Sequence, residues 1–330
     1  MDSYFFYYFV NYIFPPFILL TGLVGNLCGF IVMRRKELTN LGPRSMYSYL
    51  FASDTLYLIQ IIFQYLEYSY DIHLINASDT FCKIYQYFSF SLCPISCFIL
   101  CYISFDRYIS ITYPSRRFIL RKEKSQLIFY LIIFIFNSIY YIPIAFESAV
   151  INIDNDTNVT SLQCNFIDSK AQEILSWMDL ANFVIVPFSL MTIISLLLIY
   201  TIFASRRRTG GSVLSNRNLN KDIKFSITCL ALNLIFLILN LPLAIIGLFP
   251  VNYSSSFYSF FYYLFMFSYA VNFYCILLTN KKVCKQFISI LTGKNMVSSM
   301  PTYFQRPQTN LVTGQKVKGT INITREKDDQ

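Results

Sequence analysis

Residues 104–114 read SFDRYISITYP, which sets an acid, a base and a phenol side by side where an apolar run gives way to a basic stretch. Successive helical residues point in different directions, so Arg107 is not confined to Asp106 as its partner. The chemistry open to this group is ion pairing that can be made and broken. Asp222, the only acid in its own stretch, is a second partner for the guanidinium. Another candidate group centres on Asp54, within the apolar segment LFASDTLYL. Asn26, Ser96, Asn240, Ser268 and Asn272 are the polar residues of comparable setting in other apolar runs. Bond-breaking chemistry is poorly supplied. The single histidine, His73, reads as a solvated loop residue, and no Cys, His and Glu share metal-ligand spacing. A non-enzymatic protein is expected.

The elements that must position these groups follow from composition. Of 330 residues, 55% are hydrophobic and only 14% charged, whereas a soluble domain carries about 25% charged residues. Seven apolar runs, at 14–33, 47–66, 85–111, 126–146, 178–203, 225–249 and 257–279, reach the length that crosses a bilayer as a helix. Strands cannot satisfy their backbones singly in lipid, and barrels show short alternating segments instead. The fold class is therefore all-α, a seven-transmembrane helix bundle. Pro94, Pro143, Pro187 and Pro242 lie in or near these runs, which a bundle tolerates by local kinking. From Cys82 to Asp106 the chain advances 24 residues, or roughly 36 Å of helix. The third span thus crosses the membrane and carries Asp106 and Arg107 to its inner end. The 26 Tyr and 33 Phe fit interfacial belts and lipid-facing packing, with no cofactor needed.

Basic residues orient the bundle. They cluster at 34–36 and Arg44, at 116–124, at 206–221 and at Lys281, Lys282 and Lys285, all in alternate connections. The opposite connections hold only Lys83 and Lys170 beside seven acids. The positive-inside rule then sets the N-terminus (1–13) outside and the tail (293–330) in the cytoplasm of a plasma-membrane protein. The net charge of +9 belongs to these membrane-proximal clusters, so a nucleic-acid partner is not expected. The opening MDSYFFYYFVNYIF lacks a basic leader and a cleavage site, which makes the first span the anchor.

Nine cysteines test this topology. Six fall within spans; Cys284 follows the seventh span among lysines and is a candidate for palmitoylation. Cys82 and Cys164 alone face the oxidising side, so a disulfide is expected between them. Asn155, Asn158 and Asn76 head glycosylation sequons in the outer connections. Inside the bundle, Asn26, Asp54, Ser96, Ser268 and Asn272 can form a mid-membrane cluster. It is either a structural hydrogen-bond network or a site for a sodium ion, a hard cation suited to oxygen ligands. At the inner end, Arg107 either bridges to Asp222, latching the third and sixth helices, or forms a solvated surface pair worth about 0–1 kcal/mol.

Taken in chain order, these residues resemble the rhodopsin-like G-protein-coupled receptors. The likeness runs from Gly25 to Phe287. It rests on Gly25-Asn26, LFASD ending at Asp54, Cys82 with Cys164, and Asp106-Arg107-Tyr108, then on Pro187, Phe236, Pro242 and Asn272. LLTNKKVCKQF looks like that family's short amphipathic cytoplasmic helix after the seventh span, here 280–292, which leaves 14–279 as the bundle. The resemblance implies an extracellular ligand and nucleotide exchange on a heterotrimeric G protein. Activation would pass through Asp106, Arg107, Tyr108, Asp222, Phe236, Asn240, Pro242 and Asn272. Arrestin and a receptor kinase are implied as further partners, with Ser298, Ser299, Thr302 and Thr309 of the tail as phosphate acceptors.

Departures are equally plain. The family's tryptophan two residues before the sixth-span proline is Asn240 here, and its Asn-Pro-x-x-Tyr is Asn272-Phe273-Tyr274-Cys275-Ile276. Ser195 stands where the fifth span often has tyrosine, so Tyr274 or Tyr200 could substitute only if helices rotate. Retinal would need a lysine at Met266, and an amine ligand an aspartate at Ser89. What remains is an aromatic, acidic mouth formed by Gln64, Glu67, Gln86, Ser89, Glu147, Glu173 and Asp179. A cationic peptide ligand suits it, through arginine–carboxylate pairs and aromatic packing. The stretch YAVNFY is similar to neuropeptide receptors of the invertebrate type. A seven-helix transporter of a small solute is the rival class, but it calls for paired broken helices and commonly repeats, and no span resembles another.

Overall fold

The computed structural model describes residues 2–39, 42–113, 120–154, 160–208, 213–248 and 255–293. Seven long helices form the bundle: α1 (Phe14–Met33), α2 (Arg44–Tyr70), α3 (Asp79–Thr112), α4 (Glu123–Tyr140), α5 (Val186–Arg208), α6 (Val213–Leu248) and α7 (Ser255–Thr279). Six helical stretches among the described residues are long and apolar enough to cross a membrane. The remaining helix, α2, is 27 residues long and interrupts its apolar residues with Asp54, Gln60 and Gln64. A short helix, α8 (Lys281–Thr292), follows α7. Asn280 caps it by accepting from the Lys282 and Val283 amides at 3.1 and 3.4 Å, and Gly293 ends it with φ +63°.

The third bundle helix is the axis. Seventy-two per cent of its most apolar stretch is buried, against 22% for α4 and 22% for the helix containing α5. Those two therefore turn large apolar side chains outward, among them Ile132, Ile135, Leu196 and Phe203, as expected of helices whose solvent is lipid. On α1 the absence of side chains brings neighbours close. A Cβ on Gly25 would lie 2.8 Å from the Tyr274 ring, and one on Gly29 2.7 Å from the Phe51 ring.

Proline writes itself into the helix geometry at two places. Phe9–Ile13 and Leu180–Ile185 are π-helical, and each precedes proline: Pro15 and Pro16 in one case, Pro187 in the other. A proline removes one N–H and crowds the carbonyl a turn earlier, and a widened turn relieves both. Residues Asp2–Tyr8 and Phe9–Ile13 run into α1, and Ser169–Asp179 and Leu180–Ile185 run into α5. Helix thus begins at Asp2, ahead of the apolar run at 14–33, because the aromatic stretch before Pro15 offers nothing to break it. Pro143 instead sits in the first turn of a separate short helix, Ile142–Glu147.

The purely helical expectation also missed one hairpin. Ser148–Asp154 pairs antiparallel with Thr160–Phe166, placing Val150 opposite Cys164. Alternating Val150, Asn152 and Asp154 with Ile151 and Ile153 is the strand signal that the search for long apolar runs passed over.

Candidate functional site

At the hairpin end the Cys82–Cys164 disulfide joins the first turn of α3 to the second strand, with Cα atoms 5.5 Å apart. Polar contacts reinforce the tether. Asp79 accepts from the Val150 amide at 2.8 Å, and Asn76 Oδ1 accepts from the Cys164 amide at 2.7 Å. The other atom of the same amide, Asn76 Nδ2, donates to Glu67. Asn76, expected as a glycan acceptor, is a structural bracket between α2 and the hairpin. A sugar on Nδ2 would displace one of its hydrogens from that role. Asn155 and Asn158 lie outside the described residues.

Beneath the hairpin a cavity of about 610 Å³ opens between α2, α3, α6, α7 and the helix leading into α5. Of the expected ligand residues, Gln64, Gln86, Ser89, Glu173 and Asp179 line it. Glu67 and Glu147 do not. Glu67 is drawn to Asn76, while Glu147 closes the short helix Ile142–Glu147 and its carbonyl accepts from the Ile167 amide at 2.8 Å. The walls also carry Tyr57, Tyr85, Phe90, Trp177, Phe183, Tyr258, Tyr262 and Phe265, and among the described residues no lining residue is basic. Tyr262 donates to Gln64, fixing that amide.

Asp179 is held by residues that the sequence reading did not name. Its Oδ1 accepts from the Tyr141 hydroxyl at 2.8 Å. That hydroxyl accepts from Asn182 Nδ2 at 3.3 Å, and Asn182 also donates to Asn137 Oδ1 at 2.8 Å. The signal was present: Asn137 and Asn182 are buried amides inside apolar runs, and buried amides require partners.

Midway through the bundle, Ser96 and Asn272 both donate to Asp54, the latter at 2.8 Å, and all three are buried. The other expected members are placed differently. Asn26 Nδ2 donates to the Tyr269 carbonyl at 3.2 Å, and among the described residues no partner meets its Oδ1 or Ser268 Oγ, both buried. Asn240 turns back to the Phe236 carbonyl at 2.6 Å. Phe236, one turn before Asn240, packs edge-on against Tyr269 and Phe188. Tyr274 donates to the Thr21 carbonyl at 2.9 Å and Tyr200 is exposed, so neither points into the bundle's centre.

At the opposite end from the hairpin, Arg107 donates to Asp106, and both are buried, at 3% and 0% exposure. The guanidinium is thus withdrawn from solvent. The cause is enclosure: Gly42, with φ +36°, leaves room for the guanidinium where a Cβ would overlap it, and Tyr47 and Cys229 interact with it from α2 and α6. Arg121 Nε lies 3.9 Å from Asp106 Oδ1, and its guanidinium donates to Ser110 at 2.9 Å. Tyr108 packs with Leu198, Ile202 and Leu230 of α5 and α6. Asp222 is on α6, but its side chain lies outside the described residues, as do Ser298, Ser299, Thr302 and Thr309 of the tail.

One polar link at this end was not foreseen. Asn233 Nδ2 on α6 donates to Ser104 Oγ of α3 at 2.9 Å and to Ser195 Oγ of α5 at 3.0 Å. Ser104 in turn donates to Asn233 Oδ1 at 3.3 Å. A serine in place of the expected tyrosine at 195 thus has a buried partner.

Comparison with known proteins adds one result. The family described as 7 transmembrane receptor (rhodopsin family) matches residues 27–280. No curated protein matches the chain.

Proposed function

Given that the chain belongs to the rhodopsin family of seven-transmembrane receptors, we propose that it transmits the binding of a cationic peptide to a heterotrimeric G protein. The hairpin end and the N-terminus face outside the cell, and the Arg107 end and the tail face the cytoplasm, in keeping with the distribution of basic residues. The observation that carries the ligand class is the 610 Å³ cavity, which among the described residues has two carboxylates, Glu173 and Asp179, eight aromatic side chains and no basic one. A guanidinium or ammonium on the peptide meets the carboxylates, and tyrosine faces hold its aromatic or cationic groups. The similarity of YAVNFY to invertebrate neuropeptide receptors points the same way.

Asp54, with Ser96, Asn272 and the orphaned oxygens of Ser268 and Asn26 as the nearby candidates, suits a sodium ion in the resting state. Cys284 is free and falls on α8 one and two turns from the exposed Ile288 and Leu291. Acylation there would lay this face on the inner leaflet. Glycans belong on Asn155 and Asn158 rather than Asn76. Arrestin and a receptor kinase act on the tail.

A screen of amidated arginine-containing peptides against cells expressing the chain, read through a promiscuous G protein, tests the ligand. Asp179→Asn should weaken the active peptide by roughly tenfold, the worth of one charge-assisted pair. Potency unchanged in both Asp179→Asn and Glu173→Gln would remove the cationic-peptide assignment.

A further inference from the structure

We infer that Tyr141, which is not among the residues lining the 610 Å³ cavity, is a positioning residue for the ligand's cationic group. It aims the Asp179 carboxylate and so sets how strongly the site prefers a positive charge. This role rests on the cationic ligand proposed above. Of the two carboxylates in the cavity wall, Glu173 is exposed, whereas Asp179 is half-buried and has built support. That support is a chain of three buried side chains, Asn137, Asn182 and Tyr141.

Each bond in the chain fixes the direction of the next. The Ile133 carbonyl of α4 can only accept, so the amide atom bonded to it at 2.9 Å is Asn137 Nδ2. Asn137 therefore turns Oδ1 towards the helix that leads into α5, where Asn182 Nδ2 donates to it at 2.8 Å. The second hydrogen of the same Nδ2 goes to the Tyr141 hydroxyl oxygen at 3.3 Å. With its oxygen already accepting, that hydroxyl commits its single proton to Asp179 Oδ1 at 2.8 Å. A run of donors that starts at a backbone carbonyl thus ends on the carboxylate.

An aspartate beside a cavity has side-chain freedom to lose when a ligand arrives, a cost of roughly two- to tenfold in affinity for each side chain immobilised on binding. Tyr141 removes that cost in advance and leaves Asp179 Oδ2 as the oxygen that the chain does not use. The phenol ring is itself firmly placed. It packs with Ile144 and Leu175, lies 6.1 Å from the Phe90 ring and meets Tyr140 edge-on at 5.1 Å. Phe90 lines the cavity, so Tyr141 stands one layer behind the wall. Tyr140 donates to the Met178 carbonyl at 3.0 Å, a second tie between the end of α4 and the residue before Asp179. These contacts belong to the ring and to its neighbour, so Tyr141→Phe removes the hydroxyl and keeps the packing.

The test titrates the purified full-length receptor with two probes, Nα-benzoyl-arginine amide and its neutral isostere Nα-benzoyl-citrulline amide, each read by the shift it causes in the melting temperature. Wild type should prefer the arginine probe by roughly tenfold, and Asp179→Asn should remove most of that preference. Tyr141→Phe should bind the citrulline probe as wild type does and cut the preference to about threefold. Asn182→Ala, which frees the same hydroxyl to turn, should cut it in the same sense. Adding Tyr141→Phe to Asp179→Asn should change nothing further. A tyrosine that only fills space would weaken both probes alike, and that result would overturn the positioning role. A full preference in Tyr141→Phe beside its loss in Asp179→Asn would also overturn it, while leaving the cationic ligand standing. No preference in wild type would contradict the cationic ligand itself, and the positioning role would fall with it.

Discussion

Both oxygens of Asp54 are engaged by neutral donors, Ser96 and Asn272, and no cationic side chain pairs with it among the described residues. A buried carboxylate so placed gains from a small cation, and in the proposed sodium site the oxygens of Ser268 and Asn26, unpartnered among the described residues, would be reserve ligands. Replacing choline chloride by sodium chloride at equal ionic strength should therefore raise the melting temperature of the purified receptor by roughly 2–4 °C for each kcal/mol of binding. Asp54→Asn should abolish that difference; an equal sodium response in the variant would remove the site. At this scale the sequence was partly legible. A carboxylate at membrane depth must find partners, which singled out Asp54 with Asn26, Ser96, Ser268 and Asn272, and of these Ser96 and Asn272 bond to it. Asn26 and Asn240 obey the same requirement by turning to backbone carbonyls at Tyr269 and Phe236, a choice set by local approach rather than residue type. Spacing alone does not distinguish the two.

Helices transmit what residues sense, and Asn233 couples three of them. Its amide joins α6 to Ser104 of α3 and Ser195 of α5. Asn233→Ala removes these bonds and leaves the buried Ser104 hydroxyl and the half-buried Ser195 hydroxyl to find new partners, at about 1 kcal/mol for each bond. It should lower the melting temperature and raise nucleotide exchange without ligand, because α6 is then freer to leave α3. Exchange at the wild-type level in a variant with a lowered melting temperature would show that the link stabilises the fold without restraining α6. Element existence was legible from seven apolar runs, since lipid admits few alternatives. Element ends were not. The α3 start at Asp79 depends on Ser78 accepting from the Phe81 amide at 3.2 Å, and the hairpin depends on pairing across a loop. Neither registers in hydropathy.

Across the whole molecule, the two ends have opposite chemistry and a closed middle. The hairpin end has an acidic aromatic cavity; the other end buries Asp106 with Arg107 and carries a basic cleft lined by Arg34, Arg44 and Lys124. Between them, Phe236, Tyr269 and the Asp54 group fill the axis beside α3. Packed rings resist continuous deformation, which under the proposed function would carry a shift of α6 at the cavity to its inner half as a unit. Charge asymmetry between the ends was legible from the loops, and so was the disulfide. Enclosure of Arg107 was not, because it depends on Gly42, which has no side chain to signal it.

The central claim is that Arg107, released from this enclosure when α6 moves, engages the G protein. Nucleotide loading of co-reconstituted heterotrimers by Asn233→Ala, compared with Asn233→Ala/Arg107→Ala at matched receptor amounts, tests it without any ligand. The account predicts raised exchange in the first and a return to the receptor-free rate in the second. Exchange that persists undiminished after the arginine is removed would contradict it.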